Sequence, residues 1–263
     1  MSHTARLMAK RVAILIAVAL VLSSFVGFLG TGVAGAEGEQ VSRIDGNGRY
    51  DTAAKAALAK YDTADAVILT DGEILVDGLA GSVLAGALDA PILLSDRKSK
   101  SLPAETKRAI EQLDPDIVYI LGGTDAVPAS VEDELKAEGY RVERLAGEER
   151  QDRFDTAVAI WNKAKELGAS LEKAYGIGSE KSVVDALVAG PAAFLNGSAV
   201  IPVKDDAAVL AFVVKALNDL GVREVVIVGG TAVVSEAVED ALKDDFGDGQ
   251  VRRIGGDGRV ETS

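Results

Sequence analysis

The sequence has no cysteine, a single histidine at His3, only two methionines, Met1 and Met8, and one tryptophan among 5% aromatics. Without cysteine no disulfide can form, so stability has to come from burying aliphatic side chains. The histidine and both methionines lie in the first 36 residues, and from residue 37 onward none of the three occurs. That excludes a zinc centre built on imidazole or thiolate, and it excludes Ser-His-Asp or Cys-His catalysis, which needs an imidazole base. Three kinds of chemistry survive: a carboxylate pair, a Ser-Lys dyad, or oxygen ligation of calcium or magnesium. No cofactor is expected.

Basic residues are also scarce. The chain carries 28 Lys and Arg against 41 Asp and Glu, a net charge of −13. Setting aside residues 1–36, which hold Arg6, Lys10 and Arg11 and no acid, leaves 25 basic residues against 41 acidic ones, a net of −16. Such a surface repels nucleic acid, which is not expected as a partner. Those three basic residues precede an apolar run from Val12 to Leu22, and small residues lead to Ala34-Gly35-Ala36. This is the three-part pattern of a secretory signal peptide over residues 1–36, cleaved after Ala36, so that membrane contact is transient. Left uncleaved, the stretch from Val12 to Ala36 is long enough to span a bilayer. On either reading the rest of the chain lies outside the cytoplasmic membrane.

Repetition dominates what is present. Arg43-Ile44-Asp45-Gly46-Asn47-Gly48-Arg49-Tyr50-Asp51-Thr52 returns as Arg253-Ile254-Gly255-Gly256-Asp257-Gly258-Arg259-Val260-Glu261-Thr262. A looser copy, Arg144-Leu145-Ala146-Gly147 with Arg153-Phe154-Asp155-Thr156-Ala157 after an insertion, lies between them. Ile120-Leu121-Gly122-Gly123-Thr124 recurs 107 residues later as Ile227-Val228-Gly229-Gly230-Thr231, and Val76-Asp77-Gly78-Leu79-Ala80 recurs 108 later as Val184-Asp185-Ala186-Leu187-Val188. A period of about 105 residues is a small domain rather than a solenoid unit. The reading is module one over 37–142, module two over 143–251 and the opening of an incomplete third over 252–263.

In module one, short apolar runs at Ala66–Thr70, Pro91–Leu94, Ile117–Leu121 and Tyr140–Arg144 predict strands. Helical spacing at Leu75–Leu88, Pro103–Leu113 and Pro128–Glu138 predicts helices between them, with each proline suited to a first turn. Module two repeats the pattern, with strands near Ala174–Gly178, Ala199–Val203 and Glu224–Val228. Alternating strands and helices imply an α/β fold of tandem, mostly parallel sheets, Rossmann-like in character. Ligands of such sheets bind at the carboxyl ends of the strands. Gly122-Gly123-Thr124 and Gly229-Gly230-Thr231 fall there, and each leaves a strand and leads into a helix, where exposed N–H groups and the helix dipole favour an anion. Arg49, Arg153 and Arg259 each open the helix that follows the repeated motif. The plain alternative is that the glycines only make turns and the arginines only pair with Asp51, Asp155 and Glu261. Gly46-Asn47-Gly48 and Gly176-Ile177-Gly178 lack the third glycine of a dinucleotide fingerprint.

Ser95-Asp96-Arg97-Lys98 matches S-x-x-K, but without its companion motifs it reads as a solvated loop rather than a catalytic dyad. Asp77 with Asp71 is the carboxylate pair a glycan hydrolase would need; as polar groups in apolar helices, Asp77 and Asp185 fit a capping or interdomain role equally well.

Taken together, R-[IL]-x-G-x-x-R-[YF]-x-T-A, D-[GA]-L-A in a helix, A-P-I-L-L in a strand and [IV]-[LV]-G-G-T-x-A-V before a helix resemble the cell wall-binding repeat type 2 family, from Arg43 to Thr262. Module two departs from it in Ala199-Val200-Ile201-Pro202-Val203 and in the insertion around Glu148-Glu149-Arg150. The resemblance implies three Toprim-like modules packed in a triangle. It implies non-covalent anchoring of an exported cell-wall or S-layer protein on an anionic secondary cell-wall polymer or a peptidoglycan-associated glycan. It also implies packing of repeat modules within or between chains. The expected ligand-binding residues are Arg49, Thr52, Gly122, Gly123, Thr124, Arg153, Thr156, Gly229, Gly230, Thr231 and Arg259. No catalytic or metal residue is expected, and any amidase or protease activity would belong to a separate domain. The alternative is a carbohydrate-active hydrolase.

Overall fold

The computed structural model describes residues 42–178 and 186–255, so the expected signal peptide, Asp185 and Arg259 lie outside the described residues. The first sheet is built from β1 (Ala66–Asp71), β2 (Ile92–Ser95), β3 (Ile117–Leu121) and β4 (Arg141–Leu145), all parallel, in the order β2-β1-β3-β4. The second repeats that order with β5 (Lys173–Gly178), β6 (Ala199–Val203), β7 (Glu224–Val228) and β8 (Val251–Ile254), as β6-β5-β7-β8. This is the tandem parallel α/β architecture the alternating pattern predicts. The apolar runs become strands because both faces are covered: β1 and β3 are buried along their whole length.

The helices are α1 (Arg49–Lys60), α2 (Val76–Ala80), α3 (Ser82–Leu88), α4 (Ala104–Leu113), α5 (Ala129–Ala137), α6 (Arg153–Glu166), α7 (Ala186–Asn196), α8 (Ala207–Leu220) and α9 (Glu236–Phe246). Pro103 and Pro128 sit just ahead of α4 and α5, as N-caps rather than inside the first turn. Asp152 caps α6 by accepting the N–H groups of Phe154 and Asp155, each at 3.0 Å. The single helix expected over Leu75–Leu88 is broken at Gly81, where the backbone lies against the Leu121 side chain and leaves no room for a Cβ.

Each sheet is completed by the strand that carries the opening of the next sequence repeat. β4 runs through Leu145 and β8 through Ile254, so strands cross the positions 142/143 and 251/252 at which the repeat suggests boundaries. The sequence period marks repetition, but a motif can straddle the edge of a sheet. From Ile44 onward the chain forms one compact unit. Its largest core cluster joins Ile68, Leu84, Tyr119 and Leu121 of the first module to Ile201, Val225 and Ile227 of the second. Trp161 on α6 is fully buried within this cluster, and α6 packs on α2, α3, β4, β6 and α8.

Candidate functional site

The order β2-β1-β3-β4 places a topological switch point between β1 and β3, since the chain leaves β1 to one side and returns to the other. A cavity of about 430 Å³ opens there, at the carboxyl ends of the strands. All four strand-to-helix connections of the first sheet reach it: Ile74 and Asp77 after β1, Arg97 after β2, Gly123 to Ala126 after β3, and Ala146, Gly147, Gln151 and Asp152 after β4. Arg153 and Thr156 from the first turns of α6 close the remaining side.

Two guanidinium groups, Arg97 and Arg153, and three carboxyl groups, Asp77, Asp125 and Asp152, line it. Arg97, about 30% exposed at its side chain, places Nη1 3.6 Å from Oδ2 of the fully buried Asp71. Asp71 Oδ1 accepts the Glu73 N–H at 2.9 Å, while Asp71 Oδ2, Thr70 Oγ1 and Ser95 Oγ are buried without a hydrogen-bond partner. Burial pushes the Asp77 carboxyl up to about 6; Arg153 pulls it back and Asp71 adds to the rise. Gly122, at φ +94°, brings its backbone so close that an added Cβ would stand 2.8 Å from Asp77 Oδ2.

The structure brings together Gly123, Thr124, Arg153 and Thr156, with Gly122 and Asp77 directly behind. It does not bring Arg49 and Thr52 to this cavity. Arg49 Nη1 donates to the Gly72 carbonyl at 2.6 Å, and Thr52 Oγ1 accepts the Gly46 N–H at 3.1 Å. Asp51 pairs with Lys55 at 3.1 Å, and Asp155 accepts the N–H groups of Arg150 and Gln151. Gly229, Gly230 and Thr231 occupy the corresponding end of the second sheet.

A turn separates each Gly-Gly-Thr segment from the helix it leads into. Gly123 O accepts the N–H groups of Ala126 and Val127, and Gly230 O those of Val233 and Val234, so each segment closes a turn before α5 or α9 begins. Helix N-terminal N–H groups are therefore not the anion-directed feature expected of these glycines. The Ser95–Lys98 match is no dyad either: Ser95 is fully buried, and Lys98 Nζ pairs with Glu73 at 2.8 Å.

Sequence reasoning missed Arg97 as a site residue because the S-x-x-K match drew attention to its neighbours. It also missed a positioning device present in both modules. Arg144 Nη1 donates to the Gly122 carbonyl at 2.8 Å and Nε to Glu132 at 2.8 Å; Arg253 does the same with Gly229, at 2.8 Å, and Glu239, at 2.8 Å. The recurrence of arginine at the head of the repeated motif was the available signal.

A family model described as Cell wall binding domain 2 (CWB2) matches residues 43–132 and 144–239. The chain belongs to this family. It is 28% identical over 223 residues to the N-acetylmuramoyl-L-alanine amidase LytC of Bacillus subtilis (strain 168), covering 85% of this chain and 42% of that protein. It is 31% identical over 222 residues to the amidase enhancer of the same organism, covering 84% of this chain and 28% of that one. The chain thus spans less than half of either relative. Among solved structures, Cwp8 from Clostridium difficile superposes with a TM-score of 0.69 at 33% identity, over 83% of this chain and 36% of that one. Cwp6 from the same organism superposes with a TM-score of 0.71 at 23% identity, over 90% and 38%, a likeness of fold.

The two CWB2 modules differ at their strand ends. Asp71 pairs in register with Ser95 in the first sheet, whereas Gly178 pairs with Val203 in the second. The polar ends of β1 and β2 are thus apolar or side-chain-free in the second CWB2 module. Two residues beyond β2 stands Arg97, and two beyond β6 stands Asp205, whose carboxylate accepts the Ser235 hydroxyl at 3.1 Å.

Proposed function

We propose that the chain holds an exported protein on the cell wall by non-covalent binding of an anionic wall polymer. The observation that carries this reading is the cavity at the switch point of the first module, with Arg97 and Arg153 in its lining, in a chain of CWB2 modules. Gly123, Thr124 and Thr156 supply backbone and hydroxyl groups beside the two guanidinium groups, which match carboxylate or phosphate geometry. The net charge of −13 makes long-range attraction to a polyanion unfavourable, so retention depends on short-range contacts with the two guanidinium groups.

Hydrolysis by this chain is not part of the proposal. A glycosidase needs two carboxyl groups facing its substrate, and of the candidate pair Asp71 and Asp77 the first is fully buried behind Arg97. The amidase activity named for LytC is that protein's own, and less than half of its length is spanned.

Sedimentation with isolated Gram-positive walls tests the reading. The protein is expected to pellet with intact walls, to stay in solution with walls stripped of their anionic polymers, and to release no reducing ends or free amino groups. Equal pelleting with both wall preparations would overturn polymer binding, and release of either group would overturn the non-enzymatic assignment.

A further inference from the structure

The two modules repeat a fold, but the described ends of their central strands carry different side chains. We propose that the chain captures one acid group of its polymer, a phosphodiester or a carboxylate, at the cavity between the modules, with Arg97 as the capturing guanidinium, and that the matching end of the second sheet captures none. The proposal rests on the polymer-binding reading above and adds to it the location, the number of sites and the group recognised.

Arg97 is held from behind. Asp71 is fully buried at the end of β1, and its Oδ2 has no hydrogen-bond partner and faces Arg97 Nη1 at 3.6 Å. A guanidinium presents five donors in a fixed fork, so one edge can face Asp71 while the rest of the fork serves the cavity that Arg97 lines. Arg153 stands across that cavity on the first turn of α6, and the two cations come from different modules. Three other carboxylates line the same space. Asp152 is spent on the α6 cap and on Arg150, whose Nε lies 3.0 Å from its Oδ2; Asp77 is buried; Asp125 sits on the exposed turn at the rim.

At the second sheet the same positions carry Gly178, Val203 and Asp205. Neither Gly178 nor Val203 can brace a guanidinium from behind, and a carboxylate stands in place of Arg97. Asp205 accepts the Ser235 hydroxyl beside the second Gly-Gly-Thr turn, so the place is filled by an anion already. The repeated glycine turns therefore preserve the shape of the strand ends, while among the described residues a guanidinium braced by a buried carboxylate stands at only one of them. Affinity then rests on one braced arginine rather than on avidity between equal modules.

Calorimetry with short probes tests this, using trimers of glycerol phosphate and of galacturonate so that one ligand cannot bridge two sites. The expected result is one site per chain for one of the two probes, which identifies phosphodiester or carboxylate as the group. Arg97→Ala is expected to lower affinity at least tenfold. The Asp71→Asn/Arg97→Ala double variant, which avoids leaving a buried carboxylate unpaired, is expected to show the same loss with an unchanged circular dichroism spectrum. Asp205→Ala is expected to keep one site at wild-type affinity. Two sites per chain, or wild-type affinity in the double variant, would overturn the proposal. Binding of neither probe by protein that still pellets with intact walls would also overturn it while leaving polymer binding standing; failure to pellet at all would instead sink the polymer-binding reading.

Discussion

A carboxyl group that is 8% exposed, lies behind the Gly122 backbone and feels the buried Asp71 has lost most of the water that stabilises its charge. Asp77 is accordingly pushed up to about 6 from an ordinary value of 3.8. The folded state then keeps a proton that the unfolded chain gives up, so the stabilisation from this group is complete below pH 3.8 and lost as pH rises through about 6. A shift of that size corresponds to roughly 3 kcal/mol. Asp77→Asn is expected to flatten the wild-type-minus-variant stability difference above pH 7 at 2–3 kcal/mol in favour of the variant, roughly, and to shrink it toward zero near pH 4. Urea denaturation at a series of pH values measures this, and a difference that does not change with pH would refute it. The carboxylates held low by ion pairs, such as Glu132 beside Lys136 and Arg144, titrate alike in both proteins and cancel in the comparison. At this scale the sequence showed Asp77 as a polar group in an apolar helix, and Arg153 and Gly123 as strand-end residues. It did not show that Arg49 would be turned to the Gly72 carbonyl, because that depends on where the β1–α2 loop lies in space.

Elements were more legible than contacts. Ile117–Leu121, Ala199–Val203 and Glu224–Val228 form strands with the limits that their apolar runs predict, since a strand buried on both faces must be apolar from end to end. The break at Gly81 and the turns between Gly123 and α5 were not legible. Beside each stands a neighbour distant in sequence, Leu121 against Gly81 and Arg144 on the Gly122 carbonyl. The crossing of α3 with α7 is another such contact. An added Cβ at Gly86 would run into the backbone carbonyl of Phe194, which cannot step aside without parting the two helices. Gly to Ala in an open helix position stabilises by up to about 1 kcal/mol. Here Gly86→Ala is expected to destabilise by about 1–3 kcal/mol, the usual cost of forcing atoms into a packed contact. The sign of the change in a denaturant midpoint decides the matter: stabilisation would mean that the helices do not approach as closely as described.

The helix pairing also bears on the whole molecule. Ser82 lies beside Gly190 and Gly86 beside Phe194, and each pair is separated by the same 108 residues as the Val76 and Val184 copies of the repeat. Equivalent residues therefore meet each other, which is what repeats arranged around a common axis require. The period was legible in the sequence; this self-matching contact was not, because it needs the distance between two helices. Beside the pair runs an apolar groove of about 580 Å³, lined by residues including Leu79, Ile92, Leu187, Phe194 and Leu195, the last 78% exposed. The triangular packing that the family resemblance implies would set a third copy of the α2–α3 segment in this groove. Exposed contiguous apolar surface drives association when its partner is not supplied. The present chain is expected to self-associate in sedimentation velocity, a Leu187→Glu/Leu195→Glu variant to sediment as a monomer, and a chain carrying a whole third repeat to be both monomeric and more stable to heat. A monodisperse wild-type monomer whose melting temperature equals that of the three-repeat protein would refute that placement, because the groove would then need no occupant.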